Sequence, residues 1–142
     1  MTVRVLLGPL KEALMALASA RGEESVGILV GRREGGEEIV VDYLYHASNI
    51  KHSSVEFEAD PWHVVQAHVS AEKYGLDVVG VFHSHPSCPP APSTMDVEGM
   101  KRWPLVWIIA CPREVSAWRL ASGRLERIPI DSGDSKDKHL KP

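Results

Sequence analysis

Four prolines fall within seven residues, at Pro86, Pro89, Pro90 and Pro92, and neither a strand nor a helix runs through such a segment. The residues before it, 77–82, are mostly apolar and read as a strand leading straight into His83-Ser84-His85. After it, residues 94–102 read as a short helix. The chain must therefore carry two histidines off the end of a strand into a stiff, irregular loop, and then resume as a helix.

Strand and helix signals alternate elsewhere. Residues 3–7 read as a short strand. Gly8-Pro9 then opens a helix through about residue 20, with Leu10, Ala13, Leu14 and Leu17 at helical spacing. A buried strand is expected over 25–31, a charged, glycine-containing turn over 32–36 and a return strand over 37–46, which makes a hairpin. A polar loop (47–54) and a short extended piece (55–58) follow. Asp60 before Pro61 is a good N-cap with a first-turn proline, so a helix should run over 61–74 and stop at Gly75. Strands are expected at 105–111, 115–120 and 124–130, the last two flanking a turn at Ala121-Ser122-Gly123. From 131 onward the residues are small, charged or proline without periodicity. This predicts one α/β domain over 1–130 and a disordered tail over 131–142.

Composition supports one ordinary folded domain: 142 residues, 44% hydrophobic and 25% charged. A net charge of −3 lacks the basic excess of nucleic-acid binders, so no nucleic-acid partner is expected. The early apolar run Val5-Leu6-Leu7 is broken at once by Gly8-Pro9, unlike a signal peptide. No run approaches the ~20 residues of a membrane span. The expectation is a cytoplasmic protein without a membrane partner.

Residues two apart in a strand point the same way, so His83 and His85 present both imidazoles on one face. Asp96, eleven residues after His85, would add a carboxylate across the proline loop. Two histidines and one carboxylate suit zinc and leave a fourth position open, the arrangement of a catalytic site. Attack on an amide by a zinc-activated water still needs a base, for which a carboxylate outside the ligand set would serve. There is a plainer reading of each part. Ser93-Thr94-Met95-Asp96 is also a capping box that would merely close a helix N-terminus, and strand-end histidines are often surface residues. The joint pattern His-x-His, seven residues, Ser, two residues, Asp has roughly a one in a thousand chance of arising from these residue frequencies, which favours a site.

His83-Ser84-His85-Pro86 with Ser93 and Asp96 at this spacing resembles the JAMM (MPN+) metallopeptidase family. The segment Glu24-Ser25-Val26-Gly27-Ile28-Leu29-Val30-Gly31 is similar to that family's upstream stretch, where a glutamate precedes a glycine by three residues at the head of an apolar strand. Spacing to Gly27 selects Glu24 over Glu23, and strand alternation turns these two neighbours to opposite sides. The resemblance spans about residues 3–130. It implies a mixed β-sheet with packed helices, of cytidine-deaminase-like architecture, and one Zn2+ per chain held by His83, His85 and Asp96. It also implies that Glu24 is the acid/base and that the Ser93 hydroxyl stabilises the oxyanion.

By the same likeness, small free-standing members imply a hydrolase cutting a peptide or isopeptide bond at the C-terminus of a ubiquitin-like or sulfur-carrier protein. A narrower alternative releases an amino acid such as cysteine from a sulfur carrier. A non-catalytic binding scaffold, known among members without the metal motif, is disfavoured because Glu24, His83, His85, Ser93 and Asp96 are all present. A zinc nucleoside deaminase would need His-x-Glu and Pro-Cys-x-x-Cys, which this chain lacks.

Other residues carry weaker signals. Cys88 and Cys111 would either bridge and brace the metal loop or stay as free buried thiols, and the rarity of cytosolic disulfides favours the thiols. Trp107 is expected in the core, with Trp62, Trp103 and Trp118 left open. His63 and His68, five apart on a helix, do not share a face well enough for a second metal site. Residues 49–58 are either an ordinary surface loop or a strand added to an extended substrate.

Overall fold

The computed structural model describes residues 3–19, 24–47 and 61–131. Its elements are β1 (Arg4–Leu6), α1 (Leu10–Ser19), β2 (Val26–Glu34), β3 (Glu38–Ala47), α2 (Pro61–Lys73), β4 (Asp77–Ser84), α3 (Thr94–Arg102), β5 (Val106–Cys111), β6 (Glu114–Ala121), β7 (Arg124–Ile128) and β8 (Ile130–Asp131). The strands form one eight-stranded sheet in the order β7-β6-β5-β4-β2-β3-β1-β8. It is mixed: β4 and β5 are parallel, as are β1 with β3 and with β8, while the remaining pairs are antiparallel. This is the mixed sheet with packed helices that the resemblance implies.

Strand alternation distributes the helices. On one face, Leu29 of β2, Phe82 of β4 and Ile108 of β5 pack with Leu14 and Ala18 of α1. On the other, Ile28 of β2 packs with Val64 and Ala67 of α2, and Val81 and Trp107 pack with Met100 of α3. Trp107 is core, as expected; Trp103 and Trp118 lean half-buried on it, and Trp62 is exposed. Gly99 permits this packing, because a Cβ there would stand 2.3 Å from Cη2 of the Trp107 indole. The parallel pair β4/β5 requires a crossover, and α3 with the proline loop supplies it. That topology puts the loop at the C-terminal end of β4.

Four expectations are corrected. Arg32–Glu34 belong to β2 and not to the turn, because the turn needs two successive positive φ values and takes them from Gly35 (63°) and Gly36 (74°). The single strand expected over 124–130 is two strands that lie at opposite ends of the sheet order, separated only by Pro129. The sheet must therefore curl until its two ends meet at Pro129, enclosing α1. Asp131, assigned to the tail from sequence, ends β8 and pairs with Leu6, so the folded unit reaches 131. The fourth correction concerns the cysteines. Cys88 and Cys111 form a disulfide with a Cα–Cα distance of 5.2 Å, so the thiol reading is wrong. The loop is drawn back over the sheet, where His85 N–H donates to Ala110 O (2.7 Å) and Ser116 Oγ–H donates to Pro90 O (2.5 Å), and this brings Cys88 against the end of β5.

Several expectations fall outside the described residues: the Asp60 cap, Glu23, the loop and extended piece over 48–58, and the tail beyond 131.

Candidate active site

The side chains singled out from sequence converge from three places in the chain. β4 supplies His83, and His85 follows one residue beyond its end. Asp96 sits in the first turn of α3. Glu24 lies two residues before β2, on the same alternation face as Val26 and Ile28. Because Val26 pairs with His83 across the β2/β4 ladder, Glu24 is delivered beside the histidine.

The contacts are short and sheltered. The two imidazoles meet edge to face, with centroids 4.9 Å apart. His83 Nδ1 lies 2.5 Å from Asp96 Oδ1, and His85 Nε2 lies 2.9 Å from Asp96 Oδ2. His83 Nε2 hydrogen-bonds Glu24 Oε1 on the opposite edge of its ring. Asp96 is 0% exposed, His83 1% and Glu24 6%, so these charges interact in a medium that screens them poorly. Burial alone would push the His83 imidazolium to lower pKa, but hydrogen bonds and charge from Asp96 and Glu24 outweigh it and raise the His83 pKa above its ordinary value. For Asp96, burial acts to raise the pKa, yet hydrogen bonds from His83 and His85 prevail and hold the carboxyl well below the usual carboxylate range.

The capping box and the cluster use the same atoms. Asp96 N–H donates to Ser93 Oγ (3.1 Å) and Ser93 N–H donates to Asp96 Oδ2 (2.8 Å), closing the N-terminus of α3. The carboxylate that caps the helix also faces both histidines, so the capping reading of Ser93 and Asp96 holds without taking Asp96 out of the cluster. Ser93 is exposed, and the cap uses its oxygen as an acceptor, leaving its hydroxyl hydrogen to point elsewhere.

The donor set fits a metal ion. One ligand atom each from His83, His85 and Asp96 lie within 4.8 Å of one another. Donors at 2.0–2.1 Å from a tetrahedral zinc would stand ~3.3 Å apart, so the 2.5 Å contact of His83 with Asp96 would have to open by about 0.8 Å and the 2.9 Å contact of His85 by about 0.4 Å. A largely apolar cavity of about 310 Å³ is lined by Val26, which pairs with His83, by Met95, which precedes Asp96 in the chain, and by Val64, Trp103 and Trp107 among others.

Two residues passed over in the sequence reading belong to this architecture. Ser84, between the histidines, is 2% exposed and accepts the Ser25 N–H on its Oγ at 2.7 Å. Ser116, 1% exposed, anchors Pro90 while accepting the Trp118 indole N–H at 2.6 Å. A hydroxyl inside an otherwise apolar strand is the signal that marks both.

The chain is similar to several known proteins. The chain is 41% identical over 110 residues to a desampylase of Pyrococcus furiosus, covering 77% of this chain and 75% of the relative. It is 30% identical over 118 residues to a probable TtuB-protein conjugate cleaving protease of Thermus thermophilus, covering 82% and 75%. The solution structure of a Desulfitobacterium hafniense protein superposes with a TM-score of 0.78 at 27% identity, covering 90% of this chain and 92% of that one. The family model described as prokaryotic homologs of the JAB domain matches residues 8–121, and the chain belongs to that family.

Proposed function

We propose that this chain is a zinc metalloprotease that hydrolyses a peptide or isopeptide bond at the C-terminus of a ubiquitin-like or sulfur-carrier protein. The observation that carries this reading is the burial of Glu24 against the His83, His85 and Asp96 cluster, a base placed beside a metal-ligand set. The named relatives, a desampylase and a conjugate-cleaving protease, point to the substrate class.

His83, His85 and Asp96 would hold the ion. Zinc bound there supplies Lewis acidity to a water and to the scissile carbonyl. Glu24 then takes the proton from the attacking water and delivers it to the leaving amine. Ser93, exposed at the helix N-terminus, donates its hydroxyl to the developing oxyanion. The apolar cavity gives the substrate chain a wall to lie against.

No helix is long and apolar enough to cross a membrane among the described residues. Our reading keeps the protein in the cytoplasm, where a bridge such as Cys88–Cys111 is rare outside hyperthermophiles. The redox state of the two cysteines in fresh extracts tests that placement.

Linear fusions and isopeptide conjugates of a ubiquitin-like protein test the activity. Cleavage is expected to stop with a chelator, return with zinc and be absent in Glu24→Gln. Cleavage that persists in Glu24→Gln would sink the proposed base. Zinc-loaded protein that cuts no fusion and no conjugate would remove the protease reading.

A further inference from the structure

We propose that Ser84, the residue between the two histidines, is a positioning residue that holds Glu24 against the metal site. This rests on the protease reading for its kinetic consequence and on geometry alone for its structural one.

The β2/β4 ladder ends at the pair Val26 and His83, so Glu24 and Ser25 lie beyond its last rung. Ser84 binds Ser25 twice. Its own N–H donates to Ser25 O at 2.9 Å, and its Oγ accepts the Ser25 N–H at 2.7 Å. A regular antiparallel rung would use the Ser84 carbonyl for the second bond. The side-chain oxygen stands in for it, so the β2 end is tied to β4 by a group that only a short hydroxyl side chain supplies. Period-two alternation turns the Ser84 side chain to the face opposite His83, which leaves the imidazole for Glu24 and Asp96. One strand thus places its ligand on one face while fastening, with its other face, the backbone next to the base.

Proton transfer is sensitive to such placement, since a shift of about 1 Å in a reacting group costs on the order of a hundredfold in rate. Ser84→Ala removes the acceptor and leaves the Ser25 N–H unpaired. The ligands His83, His85 and Asp96 keep their own contacts. The expected result is an unchanged zinc content, a KM within about twofold of the parent and a kcat lower by about tenfold to a hundredfold. Ser84→Thr keeps the hydroxyl and should restore kcat to within about threefold. A residue acting only on overall stability would not give this split or this rescue.

A second readout needs no activity. In the metal-free protein, the Ser25 amide should be protected from hydrogen exchange in the parent and in Ser84→Thr, and should exchange freely in Ser84→Ala. If Ser84→Ala does not fold, as judged by its melting curve, Ser84→Cys replaces it, being near in shape and a weak acceptor. An unaltered kcat in an active parent, loss of zinc along with activity, or a Ser25 amide that stays protected without the hydroxyl each overturns the proposal. Should the parent cut nothing, the protease reading fails, while the amide exchange still decides whether Ser84 fastens Ser25.

Discussion

Reducing the Cys88–Cys111 bridge should lower the stability of the metal-free protein by about 3.4 kcal/mol. The bridge spans a sequence separation of 23, and the loop-closure entropy it removes from the unfolded chain gives that figure at room temperature. The loop it closes contains Ser93, Asp96 and all of α3. For 142 residues, an unfolding entropy near 2.1 cal/mol/K per residue makes about 0.3 kcal/mol/K, so the melting temperature should fall by roughly 11 °C. The assay is calorimetry of metal-free protein with and without a phosphine reductant, alongside a Cys88→Ser, Cys111→Ser double variant. The reduced parent and the double variant should melt together, well below the oxidised parent. Melting within about 2 °C of the oxidised parent would refute the reasoning, because the bonds from His85 to Ala110 and from Ser116 to Pro90 would already supply the constraint.

The titrating groups set a pH window for the metal-free protein. His83 has a raised pKa, so its contribution to stability is complete below about pH 6.5 and is lost as pH rises through the raised value; Asp96 has a lowered one, so its contribution is complete above about pH 4 and is lost as pH falls through the lowered value. Melting temperature measured against pH should therefore peak between roughly pH 4 and 6.5, and zinc, which competes with the proton on His83, should abolish the decline on the alkaline side. Gly99→Ala should destabilise by about 1–3 kcal/mol in urea titration, because the new Cβ meets the buried Trp107 ring at 2.3 Å and this outweighs a helix-propensity gain of about 1 kcal/mol. Equal or greater stability would mean that the ring has room to swing aside. Ser93→Ala should cost about 1 kcal/mol through the lost cap and lower kcat by about 10²–10³ with little change in KM, as steady-state kinetics on a fusion substrate would show.

The candidate ligand set is legible in the sequence because its geometry follows from local rules. A strand of period two puts His83 and His85 on one side, and a capping box fixes Asp96 at the first turn of a helix. Glu24 is legible for the same reason: Glu24, Val26 and Ile28 share a face, and pairing of Val26 with His83 does the rest. The disulfide is not legible, since it depends on how far the proline loop folds back over β5, which is decided by contacts to Ala110 and Ser116 from other strands. The same holds for Pro129, which reads as a residue within one strand and is in fact the point where opposite edges of a curled sheet meet. Ser84 escapes notice because a buried hydroxyl reveals its purpose only when its acceptor role toward Ser25 is seen.

The central claim is that His83, His85 and Asp96 form a zinc site. Elemental analysis of the purified protein beside His85→Ala and Glu24→Gln tests it most directly. The account predicts one zinc per chain in the parent and in Glu24→Gln, and none in His85→Ala. No zinc in any of the three, even after zinc is added back, would contradict it and leave Ser93 and Asp96 as the cap of α3 alone.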